Sequence, residues 1–90
     1  MRISNRVIGP NSPPFVIAEM SGNHNQSLER ALKIVDAASA SGAQLIKLQT
    51  YTADTITLNV ERDEFMISNP GSLWRGRSMY SLYQEAHTPW

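Results

Sequence analysis

The sequence predicts an α/β fold with parallel strands, in the order βαβα after a short N-terminal hairpin. Three observations predict it. Residues 15–20 (Phe-Val-Ile-Ala-Glu-Met) and residues 43–51 (Ala-Gln-Leu-Ile-Lys-Leu-Gln-Thr-Tyr) are short apolar stretches that read as buried strands. An amphipathic helical pattern separates them, and a second one begins after residue 78. A strand, a helix and a strand in that order make a βαβ unit, with parallel strands and a right-handed crossover.

Each element has its own signals. Residues 2–8 read as two very short extended pieces about a turn at Ser4-Asn5. Residues 9–14 (Gly-Pro-Asn-Ser-Pro-Pro) are too dense in turn formers to be anything but a loop. Side chains alternate along a strand, so Phe15, Ile17 and Glu19 share one face and Val16, Ala18 and Met20 the other. A polar loop, Ser-Gly-Asn-His-Asn-Gln, covers residues 21–26. Ser27 is a candidate N-cap, and Glu29 stands in the first turn, where the helix dipole favours a carboxylate. Arg30 at the third helical position denies the helix a capping box. Leu28, Ala31, Leu32, Val35 and Ala38 recur at helical spacing, and Gly42 fits the left-handed position that closes a helix.

In the second strand Leu45, Lys47, Gln49 and Tyr51 share one side. Gln44, Ile46, Leu48 and Thr50 share the other, with Ile46 and Leu48 expected to pack beneath helices. Residues 52–77 show no sustained period, and a loop of that length is uncommon and often functional. Trp74, Arg75 and Arg77 have two readings: a cluster that gates the mouth of a site and meets anions, or, the expected one, Trp74 packing this loop down with the arginines solvated. Ser78 can cap a second helix with Met79, Leu82, Tyr83 and Ala86 as its stripe, ended by Thr88-Pro89.

Composition narrows the function. Hydrophobic residues make up 41% of the chain, and eight basic residues balance eight acidic ones. With no basic stripe, neither nucleic acid nor an anionic membrane is suggested as a partner. The absence of Cys excludes disulfides and thiolate metal sites. No apolar run approaches the roughly 20 residues of a membrane span. A soluble, cytoplasmic protein is the expectation. Two strands and two helices cannot cover both faces of a parallel sheet, and a (β/α)₈ barrel takes roughly 250 residues. Residues 1–90 are therefore expected to be an incomplete N-terminal part of a larger α/β protein.

The candidate site follows from strand phase. Ligands bind at the C-terminal ends of parallel strands, and Glu19, Lys47 and Gln49 all stand there. A Lys is rarely buried without a partner, so Lys47 has two readings: an anion-binding group, or the structural ion-pair partner of Glu19. Gln49 offers a donor and an acceptor for a substrate, or is a polar plug inside the fold. His24 alone is no metal site, and Asn23 and His24 are expected to support the loop. His87 has nothing to recommend it beyond its place at a helix C-terminus.

Residues 15–28, from Phe-Val-Ile-Ala-Glu through Asn-His-Asn to Leu28, and residues 42–50, Gly-Ala-Gln-Leu-Ile-Lys-Leu-Gln-Thr, resemble the sialic acid synthase family. In that family a strand ending in Ala-Glu precedes an Asn-His-Asn loop, a helix and a Lys-x-Gln-Thr strand. Met20-Ser21-Gly22 and the run Leu73-Trp-x-Gly-x-x-Met-Tyr-x-Leu-Tyr-x-x-Ala-x-Thr-Pro-Trp90 are similar to the family's pseudaminic acid branch. The resemblance implies a (β/α)₈ TIM barrel, with later strands and a C-terminal antifreeze-like domain beyond this chain, in a domain-swapped homodimer. It implies condensation of phosphoenolpyruvate with an amino-sugar aldehyde, here 2,4-diacetamido-2,4,6-trideoxy-altrose, to give pseudaminic acid and phosphate. It also implies a divalent metal ion (Mn, Mg or Co) with ligands in strands absent here. Glu19 would be catalytic, Lys47 would contact phosphoenolpyruvate, and Gln49 would bind substrate. The alternatives are an N-acetylneuraminate or legionaminate synthase, which shares these residues, and a non-catalytic sugar- or anion-binding α/β module.

Overall fold

The computed structural model describes residues 1–89. Strands β1 (Arg2–Ile3) and β2 (Arg6–Val7) form the antiparallel hairpin, with Ser4 left-handed in its turn. Strand β3 (Ile17–Glu19), helix α1 (Leu28–Ala40) and strand β4 (Leu45–Lys47) form the βαβ unit. The two strands are parallel, in the register Ile17↔Leu45, Ala18↔Ile46, Glu19↔Lys47. Helix α2 (Ala53–Ile56), a 3₁₀ turn over Asp63–Phe65 and helix α3 (Met79–Ala86) follow.

Both ends of α1 are closed as its sequence dictates. The Ser27 hydroxyl accepts from the Arg30 N–H at 3.3 Å, and Glu29 pairs with Lys33 one turn on at 2.6 Å. At the other end Gly42 takes φ +90°, a conformation glycine adopts without a Cβ clash. Its N–H donates to the Ser39 carbonyl and that of Ala43 to the Ala38 carbonyl. These two bonds make a Schellman closure, which turns the chain back into β4.

The strands are shorter than the apolar runs that signal them. A ladder continues only while backbone groups face each other, and other partners intervene at both ends. The Val16 N–H donates to the Gln44 side chain at 2.7 Å, and past Lys47 the Gln49 carbonyl accepts from the Thr88 N–H at 2.8 Å. The expected burial is corrected too. Ile46 is half-buried, but Leu48 and Val16 are exposed. On α1 the half-buried residues are Ala31, Ile34 and Ala38, while Leu28 (74% exposed), Leu32 and Val35 form a bare apolar line. The reason is geometric: a two-stranded sheet is too narrow to meet the whole stripe.

Burial is concentrated at the C-terminal ends of the strands. Met20 and Ala53 are the buried apolar residues among those described, and His24 joins them. Gly22 comes so close to Ala86 that a Cβ there would lie 2.9 Å from the Ala86 Cβ, and Tyr51 meets Tyr83 edge-on at 5.6 Å. The loop after β3, the end of β4 and α3 thus converge.

Residues 52–77, patternless in sequence, are tied down by local bonds. Thr55 Oγ1 accepts from the Thr52 N–H and donates to its carbonyl, starting α2. The Tyr80 hydroxyl donates to Asp54 at 2.9 Å, joining α3 to α2. An antiparallel bridge, Met66↔Ser78, closes the excursion. Trp74 is half-buried and Arg75 exposed, as expected. Arg77 is only partly solvated and is paired as well: it donates to both Glu85 oxygens at 2.8 Å and to the Ser81 carbonyl, with its guanidinium 5.4 Å from the Trp74 ring centre. These elements are one turn long or less, too short for any periodicity to register.

The radius of gyration is 16.6 Å, whereas a compact domain of this length has one of about 12 Å. Ordering each residue costs about 1–2 kcal/mol in backbone entropy, and so few buried side chains cannot offset that. Residues 1–90 alone in solution are predicted to exchange amide hydrogens freely over residues 46–49 and to aggregate as concentration rises. Strong protection of those amides in a monomer would contradict the prediction.

Candidate active site

The β3–β4 register decides the site. Glu19 and Lys47 are the last residues of their strands and stand directly opposite one another. Their side chains emerge on the same face, and Lys47 Nζ donates to Glu19 Oε1 at 2.7 Å. The Glu19 side chain is 46% exposed and that of Lys47 61%. An ion pair so open to water adds little to stability. The hydrogen bond from Lys47, and then its charge, hold the Glu19 carboxyl below the ordinary glutamate range; slight desolvation opposes this, and Gln49 adds a smaller downward pull. Gln49 itself is half-buried two residues beyond Lys47, outside the ladder, with its carbonyl bonded to Thr88.

The loop that leaves Glu19 is held from behind. Ser21, Asn25 and Gln26 all have positive φ, between 47° and 56°. Such non-glycine residues store strain that their surroundings must sustain. His24, 1% exposed, is the centre of that support. Its Nδ1 accepts from the Gln26 N–H at 2.8 Å, and its Nε2 lies 2.9 Å from Thr88 Oγ1. The Gln26 side chain donates to the Gln84 carbonyl on α3 at 3.1 Å. Asn23 is exposed and its N–H donates to the Met20 carbonyl, forming part of the turn. Glu19, Lys47 and Gln49 thus gather at one end of the sheet, with His24 behind them and Asn23 on the rim.

Sequence patterns do not single out Gln26, and they mark Thr88 as a helix stop and as part of the family-like run, with no role at the site. Neither lies on a periodic face, and only the approach of α3 to the loop gives them partners. A separate concavity of about 340 Å³ opens beneath the β1–β2 hairpin, beside Phe15 and Gln44. It lies at the opposite, N-terminal ends of the strands. Its one charged residue, Arg6, sits over the Phe15 ring at 5.8 Å, so it offers no comparable chemistry. Among the described residues no three His, Asp or Glu side chains converge on a possible metal site. Both ring nitrogens of His24 are already engaged.

The parallel βαβ unit defines the class, an α/β protein, and its candidate site gathers a cation, a carboxylate and an amide at the carboxyl ends of the strands. The model of the NeuB family matches residues 34–90, and the chain belongs to that family. The matched segment includes Lys47 and Gln49 and begins after Glu19. The chain is 51% identical over 76 residues to the pseudaminic acid synthase of Campylobacter jejuni, covering 84% of this chain and 22% of that protein. It is 48% identical over 77 residues to the Helicobacter pylori pseudaminic acid synthase, 86% of this chain and 22% of that protein. It is also 45% identical over 56 residues to the N,N'-diacetyllegionaminic acid synthase of Legionella pneumophila, 61% of this chain and 16% of that protein. The chain spans about a fifth of the length of these curated relatives. The family resemblance read from the motifs is borne out.

The Glu19–Lys47 pair makes a titration prediction. A carboxyl with a depressed folded-state pKa contributes stability that is present above its unfolded value and is lost as pH falls through the depressed one. Carbon-detected NMR of the folded protein should place the Glu19 midpoint below the ordinary glutamate value. Lys47→Met should raise it. A wild-type midpoint at or above the ordinary value would show that the pair does not form in solution.

Proposed function

We propose that this chain is the N-terminal βαβα part of a (β/α)₈-barrel synthase. The reaction assigned to the whole protein is condensation of phosphoenolpyruvate with 2,4-diacetamido-2,4,6-trideoxy-altrose, giving pseudaminic acid and phosphate. One observation carries this: an open Glu19–Lys47 pair at the ends of parallel strands, in a chain half identical to two pseudaminic acid synthases.

The roles follow from charge and reach. Lys47 holds an ammonium on a rigid strand, so it binds the phosphate or carboxylate of phosphoenolpyruvate with little reorganisation. The arriving anion competes with Glu19 for that ammonium and frees the carboxylate. The enol carbon attacks the sugar aldehyde, forming the new C–C bond and leaving a cationic carbon beside the phosphate ester. The Glu19 carboxylate stabilises that centre and accepts a proton from the water that captures it, and the alkoxide left on the former aldehyde oxygen takes up that proton. The C–O bond to phosphate then breaks as the new hydroxyl becomes the keto group and its proton leaves with the phosphate. Gln49 hydrogen-bonds a sugar hydroxyl or the substrate carboxylate.

The resemblance also implies a divalent ion (Mn, Mg or Co), which when bound would supply Lewis acidity for the sugar aldehyde. The described residues do not fit it, because they bring no ligand set together. The roles of Glu19, Lys47 and Gln49 do not run through it. The same reading assigns the later strands, a C-terminal antifreeze-like domain and the metal ligands to chain outside residues 1–90. It assigns the protein to the cytoplasm as a domain-swapped homodimer. No helix among the described residues is long and apolar enough to cross a membrane.

The 45% identity to a legionaminic acid synthase supports a second reading within the family, with a different sugar. Phosphate release by the full-length protein, given phosphoenolpyruvate and each candidate sugar in turn, separates the two. The altrose derivative is expected to be the fastest substrate. Release with none of the sugars would leave a non-catalytic sugar- or anion-binding module. In the active enzyme Lys47→Ala is predicted to abolish turnover without unfolding the protein. Glu19→Gln should reduce kcat by ~10²-fold or more, the scale of general acid–base effects, with smaller changes in KM. Near-normal turnover by either variant would remove that residue from the chemistry.

A further inference from the structure

We propose that Thr88 is a positioning residue for this site, holding the Gln49 segment and the His24 loop at a fixed separation. The inference rests on the reading that Glu19, Lys47 and Gln49 bind and convert substrate. Thr88 lies just past the end of α3, and its two polar groups reach two different site segments. Its N–H donates to the Gln49 carbonyl at 2.8 Å, two residues past the end of β4. Its hydroxyl lies 2.9 Å from Nε2 of buried His24.

The direction of the second bond is set by the first nitrogen. His24 Nδ1 accepts the Gln26 N–H, so in the neutral ring the proton sits on Nε2 and is donated to Thr88 Oγ1. With His24 1% exposed, water cannot easily replace that acceptor, and removing the hydroxyl would strand a buried donor. The loop depends on such support, because three of its residues hold positive φ. Ser21, the first of them, is two residues from Glu19. Slack at His24 therefore reaches the carboxylate, and a misplacement of about 1 Å in a reacting group can cost 10²-fold in rate. A small residue with a hydroxyl is what the position demands.

Thr88→Val in the full-length enzyme tests this, since it keeps the N–H to Gln49 and the side-chain shape but deletes the hydroxyl. The expected result is a fall in kcat of about ten-fold or more, a KM for phosphoenolpyruvate within about two-fold of wild type, and a melting temperature lowered by only about 2–4 °C, the scale of one stranded buried donor. Thr88→Ser, which restores the hydroxyl, should recover most of the rate. A Thr88→Val enzyme as fast as wild type would overturn the proposal. So would one that fails to fold, or whose rate falls only in proportion to lost folded protein, since the hydroxyl would then serve stability alone. A Thr88→Ser enzyme as slow as Thr88→Val would also overturn it. Wild-type enzyme that releases no phosphate with any candidate sugar would instead remove the functional reading beneath it.

Discussion

The parallel pairing of β3 with β4, with Glu19 beside Lys47, is the constraint on which the rest of the structure depends. Side chains on a strand alternate faces, so a shift of one residue in this register would put Glu19 and Lys47 out of step. The register is held by the connection between the strands. Helix α1 is 13 residues long and, at 1.5 Å per residue, carries the chain back about 20 Å. The Schellman closure at Gly42 then reverses it, and Gln44 fixes the entry to β4 by bonding the Val16 backbone. A local cap, a helix length and one side-chain bond together bring two charges within 2.7 Å.

The molecule is unevenly consolidated around that pair. At the C-terminal ends of the strands, polar groups are matched closely: His24 with Gln26 and Thr88, Gln49 with Thr88, and Asp54 with Tyr80. The Tyr51 hydroxyl is an exception, buried without a hydrogen-bond partner among the described residues. Burial accordingly raises its pKa, with Tyr83 adding to the shift. By contrast Val16, Ile17, Leu28, Leu32 and Leu48 keep large exposed apolar surfaces. Hydrophobic burial, ordinarily the dominant favourable term in folding, is therefore weakest beneath α1 and strongest where the site is built.

The same contrast separates the elements that are legible in the sequence from those that are not. The βαβ unit, the Ser27 and Gly42 caps, the α3 stripe and its Ser78 cap are legible because each rests on neighbours within a turn or two in sequence. Ser78 does accept from the Ser81 N–H, and the residues expected to form the α3 stripe are half-buried. The pairing of Arg77 is hidden for the opposite reason. Its partner Glu85 is eight residues away, across a break between an irregular loop and a helix, so no single period links them. Leu48 and Leu32 depart from their expected burial because an apolar pattern states what a surface prefers to meet and not whether anything meets it.

By itself, the sequence determined the order and type of the main elements, the ends of the long helix, and the placing of Glu19, Lys47 and Gln49 near strand ends. All of these follow from backbone periodicity, cap chemistry and glycine's access to positive φ, which are local properties. Tertiary structure alone decided the strand lengths, the register that turns Glu19 and Lys47 into a pair, and the clasp of His24 and Gln49 by Thr88. Those depend on hydrogen-bond partners brought together from distant parts of the chain. Residues 24 and 88 are 64 positions apart, and only folding makes them neighbours.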